Sequence, residues 1–245
     1  MNRTLKTTLW VLLVTLFALA VYVRVVMGMS MPDGQAGPEA DKLAKRMLER
    51  LGAEAWDETR YVQWTFAGRN SYKWDRSKSK VIVSWEDVEV IMDTRDRTGR
   101  VFVNGQVKNE EEAERFLDKA WSNYCNDSFW LIAPLKAMDK GSKRELVETE
   151  DGPALLVTYD QGGVTPGDSF LWYMNDDGLP YAYRMWVEVI PVPGLKASWE
   201  DWTSLHTGTL IAQKHKLGPL SIRVTNLTSG STIEDMGWTN DPFAL

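Results

Sequence analysis

YKWDRSKSKVIVSWEDVEV, residues 72–90, places tryptophans in the middle of short alternating segments on either side of a charged turn. Trp74 alternates with charged neighbours before the turn, and Val81, Val83 and Trp85 alternate with more polar residues after it. Such a two-residue period is typical of β-strands that have one dry face and one wetter face. The stretch therefore predicts antiparallel strands whose buried face is rich in aromatic side chains.

The same period extends on both sides of this stretch. Val62, Trp64 and Phe66 alternate before it, and Asn104-Gly105 closes the series as a tight hairpin, because both residues tolerate positive φ. No helical segment separates these strands. The pattern predicts an antiparallel meander and argues against a doubly wound parallel sheet.

Two segments change to helical spacing. Residues 39–52, EADKLAKRMLERLG, keep an apolar stripe that ends at a glycine. A second helix begins at Asn109, which can cap it with Glu112 three residues on, and leads into FWLIA (129–133) before Pro134. Because FWLIA is apolar on every side, we expect it to be buried or to cover something apolar.

Alternating segments resume after residue 150, giving about ten strands in all. The longest alternation runs through Tyr181, Tyr183, Met185, Val187 and Val189. The predicted fold class is α+β, with a strongly curved antiparallel sheet, an incomplete β-barrel, and helices packed in its concave mouth.

Composition limits the classes of partner. The chain has 245 residues, 44% of them hydrophobic, and a formal net charge of -6. An acidic chain without a basic stripe is poorly suited to neutralising phosphates, so we expect no nucleic acid partner. The single cysteine, Cys125, excludes an internal disulfide and is expected to be a small buried residue.

The first 31 residues have the pattern of an export sequence. Arg3 and Lys6 precede a largely apolar run at 9–23. If the run continues past Arg24, residues 1–31 form a signal-anchor transmembrane segment, with the cations on the cytoplasmic side. Cleavage after Ala20 would instead release the protein into the periplasm. We favour the anchor, because cleavage there would leave an exposed apolar tail.

This interpretation divides the chain into three parts. Residues 1–31 form the membrane segment, 32–38 a linker rich in proline and glycine, and 39–245 an extracytoplasmic domain. The expected location is the membrane, with the domain on the periplasmic side.

Catalytic and metal-binding motifs are not evident in the sequence. His206 and His215, the only histidines, are nine residues apart, which would place them on opposite faces of a straight strand. We expect no metal, no cofactor and no enzymatic activity. A hydrolase with paired carboxylates is a less favoured alternative, for which the candidates are Glu86, Asp87, Glu89, Asp176 and Asp177.

Eleven of the twelve tryptophans follow residue 38, and four of them are central in alternating segments. One interpretation is that they fill a core between sheet and helices, because each buries a large area. The other is that they line a concave face which the helices do not fill, leaving an apolar cavity for a ligand. The residues alone leave both interpretations open.

The order of these elements resembles that of the LolA/LolB-like superfamily of bacterial envelope proteins. Within it, WDRSKSKVIV (74–83), NDSFWLIAPLKAMDKGSK (126–143) and TPGDSFLWYMN (165–175) resemble a family of uncharacterised exported bacterial proteins. The similarity of layout covers nearly all of residues 39–230. None of these motifs is catalytic.

The resemblance implies a curved antiparallel barrel with a helical lid over an apolar concavity that binds acyl chains without metal or cofactor. It implies a lining that includes Trp64, Phe66, Trp74, Val83, Trp85, Phe129, Trp130 and Trp172. The expected function is a membrane-anchored domain that binds a lipid or acyl chain, and the alternative is a scaffold or interaction protein of the envelope with a packed core. An uncleaved anchor and the missing N-terminal cysteine argue against a freely diffusing carrier and a lipidated receptor.

Overall fold

The computed structural model describes residues 28–161 and 165–244, with a few isolated positions before residue 28. Between residues 28 and 60, two helices precede the first strand, α1 (Pro38–Leu51) and α2 (Ala53–Glu58). Gly52 separates them with φ 73° and ψ 50°, and its N–H donates to the last carbonyls of α1. This left-handed conformation favours glycine, as the sequence predicted at this position.

Fourteen strands follow in the described part of the chain, more than the ten or so expected. In chain order they are β1 (Tyr61–Phe66), β2 (Asn70–Asp75), β3 (Lys80–Trp85), β4 (Val88–Asp93), β5 (Gly99–Val103), β6 (Gln106–Val107), β7 (Ser142–Thr149), β8 (Gly152–Tyr159), β9 (Ser169–Met174), β10 (Pro180–Trp186), β11 (Leu195–Ser198), β12 (Glu200–Ser204), β13 (Leu210–Leu217) and β14 (Leu220–Gly230).

The strands form two antiparallel sheets. The larger is curved and has nine strands in the order β12-β13-β14-β1-β2-β3-β4-β5-β6. The smaller has five strands in the order β11-β10-β9-β8-β7. Each strand pairs mainly with its neighbour in the chain, which confirms the predicted meander. The exception joins β14 to β1, so the last strand of the chain completes the middle of the larger sheet.

The two sheets meet where β11 passes into β12. Ser198 ends β11, and its hydroxyl accepts a hydrogen bond of 2.9 Å from the backbone N–H of Lys216 on β13. Trp199 lies between the two strands and is fully buried. Strand β11 of the smaller sheet also contacts β13 of the larger one at this junction. In the described part of the chain, neither sheet closes on itself.

Helix α3 (Glu110–Ile132) packs against β3, β4, β5 and β13. Its N-cap is Asn109, whose side chain accepts a 3.0 Å hydrogen bond from the N–H of Glu112, as predicted. FWLIA is not a separate element, since it forms the end of this 23-residue helix and runs into a short 3-10 helix at Ala133–Lys136. The predicted α+β class, a curved antiparallel sheet with helical cover, is confirmed.

The predicted membrane anchor lies outside the described residues except for 28–31 and the isolated positions. Within the described part of the chain, no helix combines the length and the apolar character needed to cross a membrane. The predicted linker contacts the domain. Gln35 exchanges two backbone hydrogen bonds of 2.8 Å with Leu146 on β7, an edge strand of the smaller sheet.

Candidate functional site

A cavity of about 730 Å³ lies between the C-terminal half of α3 and the inner face of the smaller sheet. This volume is within the usual range for sites that bind small molecules. The helix contributes Tyr124, Phe129, Trp130 and Ile132 to the lining, and the sheet contributes Tyr159, Phe170, Tyr183 and Met185. Aromatic and aliphatic side chains make up just over half of the lining residues, and most of the others are polar or charged.

One continuous strip of side chains along α3 contributes to the cavity lining. Ser122, Cys125, Phe129 and Ile132 follow one another at spacings of three or four residues, and all four belong to the lining. Residues at these spacings share one side of an α-helix. The helical period thus explains why a thiol and two apolar side chains form one continuous strip.

Aromatic contacts hold this strip against the smaller sheet. The ring centroids of Phe129 and Phe170 are 4.6 Å apart, and those of Phe129 and Tyr159 are 5.7 Å apart in an edge-to-face arrangement. Trp130 lies 5.6 Å from Tyr183. Such contacts add to the stabilisation from burial and fix the helix over the strands.

A buried carboxyl group ties α3 to β2. Asp127 accepts hydrogen bonds from the Tyr72 hydroxyl at 2.5 Å and from the Asn70 side-chain amide at 2.8 Å. Asn126 donates a third at 2.7 Å. Burial raises the pKa of Asp127, and it is the main reason that the pKa of Tyr72 is also raised. These contacts orient the helix, and of the four residues that make them only Asn126 belongs to the cavity lining.

His215 on β13 lies behind the cavity wall. Its ring is fully buried, 4.4 Å from Trp199 and 5.1 Å from Trp130. Nδ1 donates to the Ser198 carbonyl at 3.2 Å, and burial lowers the pKa of the ring to about 4. His206 is largely exposed. Among the described residues, no group of histidine, cysteine and acidic side chains could hold a metal ion.

The mouth of the cavity is polar. Lys136 ends the 3-10 helix, Asp139 and Lys140 follow it, and Lys136 forms an ion pair with Asp139. On the opposite side, Asp168 accepts hydrogen bonds from the Thr165 hydroxyl at 2.5 Å and from the Glu188 N–H at 3.1 Å. Burial raises the pKa of Asp168. Through these two hydrogen bonds, Asp168 connects the segment around Thr165 with the segment around Glu188 at the entrance of the cavity.

Three of the eight side chains predicted to line a cavity do so: Trp74, Phe129 and Trp130. The other five, Trp64, Phe66, Val83, Trp85 and Trp172, are buried in the packed core outside the lining. Trp64 stacks on Tyr72 with centroids 4.5 Å apart. Trp172 makes edge contacts with Tyr183 and Trp199.

Several lining residues were not selected from the sequence. Tyr183 and Met185 belong to the longest alternating segment, and Phe170 lies in the neighbouring one, so the two-residue period did place them on a common face. Cys125 was expected to be a small buried residue. It is half-buried in the lining, and burial raises the pKa of its thiol to about 11.

The acidic residues considered for a hydrolase lie elsewhere. Glu86 and Asp87 form the turn between β3 and β4, and Asp177 lies in the turn before β10, where it pairs with Arg50 at 2.8 Å. None of the five candidates is part of the cavity lining. A second depression, of about 540 Å³, is bordered by side chains from one exposed face of α1 only.

No family model matches the sequence. No curated protein matches it. Among solved structures, the chain is similar to a DUF1329 family protein from Desulfovibrio piger, with a TM-score of 0.40 and 8% sequence identity over 77% of this chain and 92% of the other. At this TM-score the similarity carries no argument about function, so the role of the cavity is argued from its own residues.

Proposed function

We propose that this protein binds a hydrophobic ligand, a lipid or an acyl chain, in the cavity between α3 and the smaller sheet. The observation that carries the proposal is the cavity itself, about 730 Å³, in which aromatic and aliphatic side chains from α3 and the smaller sheet form a continuous part of the wall. An apolar space of this size stabilises a chain-like ligand by removing its surface from water. The proposal involves no catalysis, metal or cofactor.

The proposed setting is the membrane. Residues 1–31 would anchor the chain, and the domain would lie on the extracytoplasmic side, as the cations before the apolar run favour. A tethered domain could exchange a lipid with the bilayer without carrying it through water. Protein partners are not part of the proposal.

The only cysteine of the chain offers a direct test, because it lies in the lining. The full chain, held in amphipol, is treated with N-ethylmaleimide, and the modified fraction is followed by intact mass. A raised pKa predicts slow modification, since the thiolate is the reactive form. Adding oleyl alcohol should slow the reaction further, by about ten-fold near saturation, because the bound chain covers Cys125.

A matched control uses a cysteine outside the cavity. In the double variant Cys125→Ser, Ser221→Cys, the thiol lies on an exposed part of β14 and should react at the same rate with or without the ligand. If acyl ligands of several chain lengths leave the modification of Cys125 unchanged while the control behaves as expected, the proposal fails.

A second candidate function is a scaffold or interaction protein of the envelope. The observation that favours it is the dense packing of the larger sheet, where Trp64, Val83 and Tyr72 are almost completely buried. On this alternative, the space beside α3 is a packing defect that remains empty. Cys125 would then react with N-ethylmaleimide at the same rate with and without an acyl ligand.

A further inference from the structure

We infer that the mouth of the cavity rests against the surface of the bilayer, with the loop at 187–194 and Met138 in contact with lipid. The inference rests on the proposed function, because it uses the proposed anchor at residues 1–31. It adds an orientation and an interaction surface to that function. The observation that carries it is the place where the end of the anchor contacts the domain.

The end of the proposed anchor contacts the loop between β10 and β11. The backbone N–H of Met29 donates to the Pro193 carbonyl at 2.8 Å, and the Trp186 indole N–H donates to the Met29 carbonyl at 2.8 Å. The approach is close, since a Cβ on Gly194 would lie 2.7 Å from the same carbonyl oxygen. Because Met29 would lie at the end of a membrane segment, this loop would lie at the bilayer surface, where tryptophan is a favoured side chain.

The chain after Met29 is attached to the domain a second time. Gln35 exchanges two backbone hydrogen bonds of 2.8 Å with Leu146 on β7. A flexible linker would leave the domain free to turn relative to its anchor. A linker that is bonded near both of its ends instead favours one orientation, in which the loop between β10 and β11 lies next to the membrane.

The same loop forms part of the cavity wall. Val187 directly follows Trp186, and it belongs to the lining together with Val189 and Ile190. Val189 is 70% exposed although it lines the cavity, so it lies at the mouth. The end of the anchor and the mouth of the cavity are therefore adjacent. A ligand that leaves through this mouth would enter the bilayer instead of water.

Exposed apolar side chains border the mouth. Besides Val189, Met29 is 37% exposed beside the loop, and Met138 is 38% exposed between the lining residues Lys136 and Asp139. Exposed apolar groups that lie together are typical of surfaces that contact a membrane or another protein. The attached end of the anchor selects the membrane as the partner here.

The charges around the mouth do not provide a separate attraction to anionic lipids. Among the described residues of the lining and this loop, Lys136 and Lys140 are opposed by Asp139, Asp168 and Glu188. A polybasic surface would be needed for strong binding to an anionic leaflet. The proposed contact therefore depends on apolar side chains, and an uncharged phosphatidylcholine bilayer is a suitable probe.

The experiment places a fluorophore at the mouth. The full chain with Cys125→Ser and Val189→Cys is labelled with the environment-sensitive dye NBD and inserted into phosphatidylcholine nanodiscs, with oleyl alcohol added to fill the cavity. We expect lipids that carry a nitroxide on the head group to quench the dye about two-fold or more, because it would lie in the interface. Met138→Cys in the same background should give the same result, and high salt should change neither.

The matched control is Val107→Cys in the same background. Val107 is also an exposed valine, at 56%, but it precedes α3, whereas Met138 follows it. A helix of 23 residues is about 35 Å long, so a dye at position 107 should lie in water and escape quenching. Equal quenching at positions 107 and 189 would mean that the domain lies on its side, and the proposed orientation would be overturned.

The outcomes separate this inference from the proposed function. If the dyes at positions 189 and 138 are not quenched while oleyl alcohol still protects Cys125 of the unaltered protein from N-ethylmaleimide, the orientation is wrong and the ligand site remains. If the dyes are quenched and acyl ligands do not protect Cys125, the interaction surface remains and the proposed function fails. If the full chain does not stay in the nanodisc, the anchor is wrong and the inference fails with it.

Discussion

His215 shows how one buried side chain couples the stability of this fold to pH. The pKa of the ring is about 4 in the folded protein and about 6.5 in an unfolded chain. Below pH 6.5 the unfolded chain takes up the proton first, so the free energy of unfolding should fall as pH decreases toward 4. The full effect is about 3 kcal/mol.

Urea unfolding at pH 7.5 and pH 4.5 measures this effect in the unaltered protein and in His215→Leu. We expect the loss of stability between the two pH values to be smaller in the variant by about 2 to 3 kcal/mol. The raised pKa of Asp127 acts in the opposite direction, but Asp127 is present in both proteins and its effect cancels. An equal loss in both would show that His215 does not titrate as described.

Asp127 is the second residue whose contribution to stability depends on its buried hydrogen-bond partners. Asp127→Ala leaves the Tyr72 hydroxyl and the Asn70 amide without their buried acceptor, which should lower the free energy of unfolding by about 3 kcal/mol. Tyr72→Phe removes one donor only and should cost about 1 to 2 kcal/mol. In the double variant, a coupling energy of about 1 kcal/mol or more is expected, and strictly additive losses would exclude a direct interaction.

At the scale of the elements, the stability of α3 depends on the cap at its first turn as well as on its packing against the sheets. Asn109→Ala removes the side-chain acceptor for the Glu112 N–H and should lower the free energy of unfolding by about 1 kcal/mol. Asn109→Ser restores a capping oxygen and should recover most of that loss. Thermal or urea unfolding of the two variants measures the difference, and equal losses would mean that the cap contributes nothing.

Elements with local signals could be predicted from the sequence. The spacing of α1, the Asn109 cap and the Asn104-Gly105 turn, with φ values of 51° and 75°, depend on a few adjacent residues. Strand β7 was missed because it is an edge strand, so its sequence SKRELVET carries charges that hide the alternation.

At the scale of the whole molecule, the sequence indicated an interior rich in aromatic side chains. It did not show where these side chains pack tightly and where they leave a cavity. Trp64 and Trp172 lie in segments that alternate between apolar and polar residues as clearly as the segment of Trp74 does. Of the three, only Trp74 lines the cavity. The difference depends on how far the larger sheet curves and where α3 crosses it, which are set by contacts between distant segments. That is why the cavity draws on β8, β9 and β10 more than on the first three strands.

The central claim is that this cavity holds a hydrophobic ligand. The most direct measurement is native mass spectrometry of the full chain, extracted gently from its own membranes, followed by organic extraction and identification of anything bound. We expect a stoichiometric adduct with the mass of a lipid or fatty acid, lost when Cys125 carries a bulky maleimide. A protein that is empty when taken directly from its membranes, and that takes up no added acyl ligand, would contradict the account.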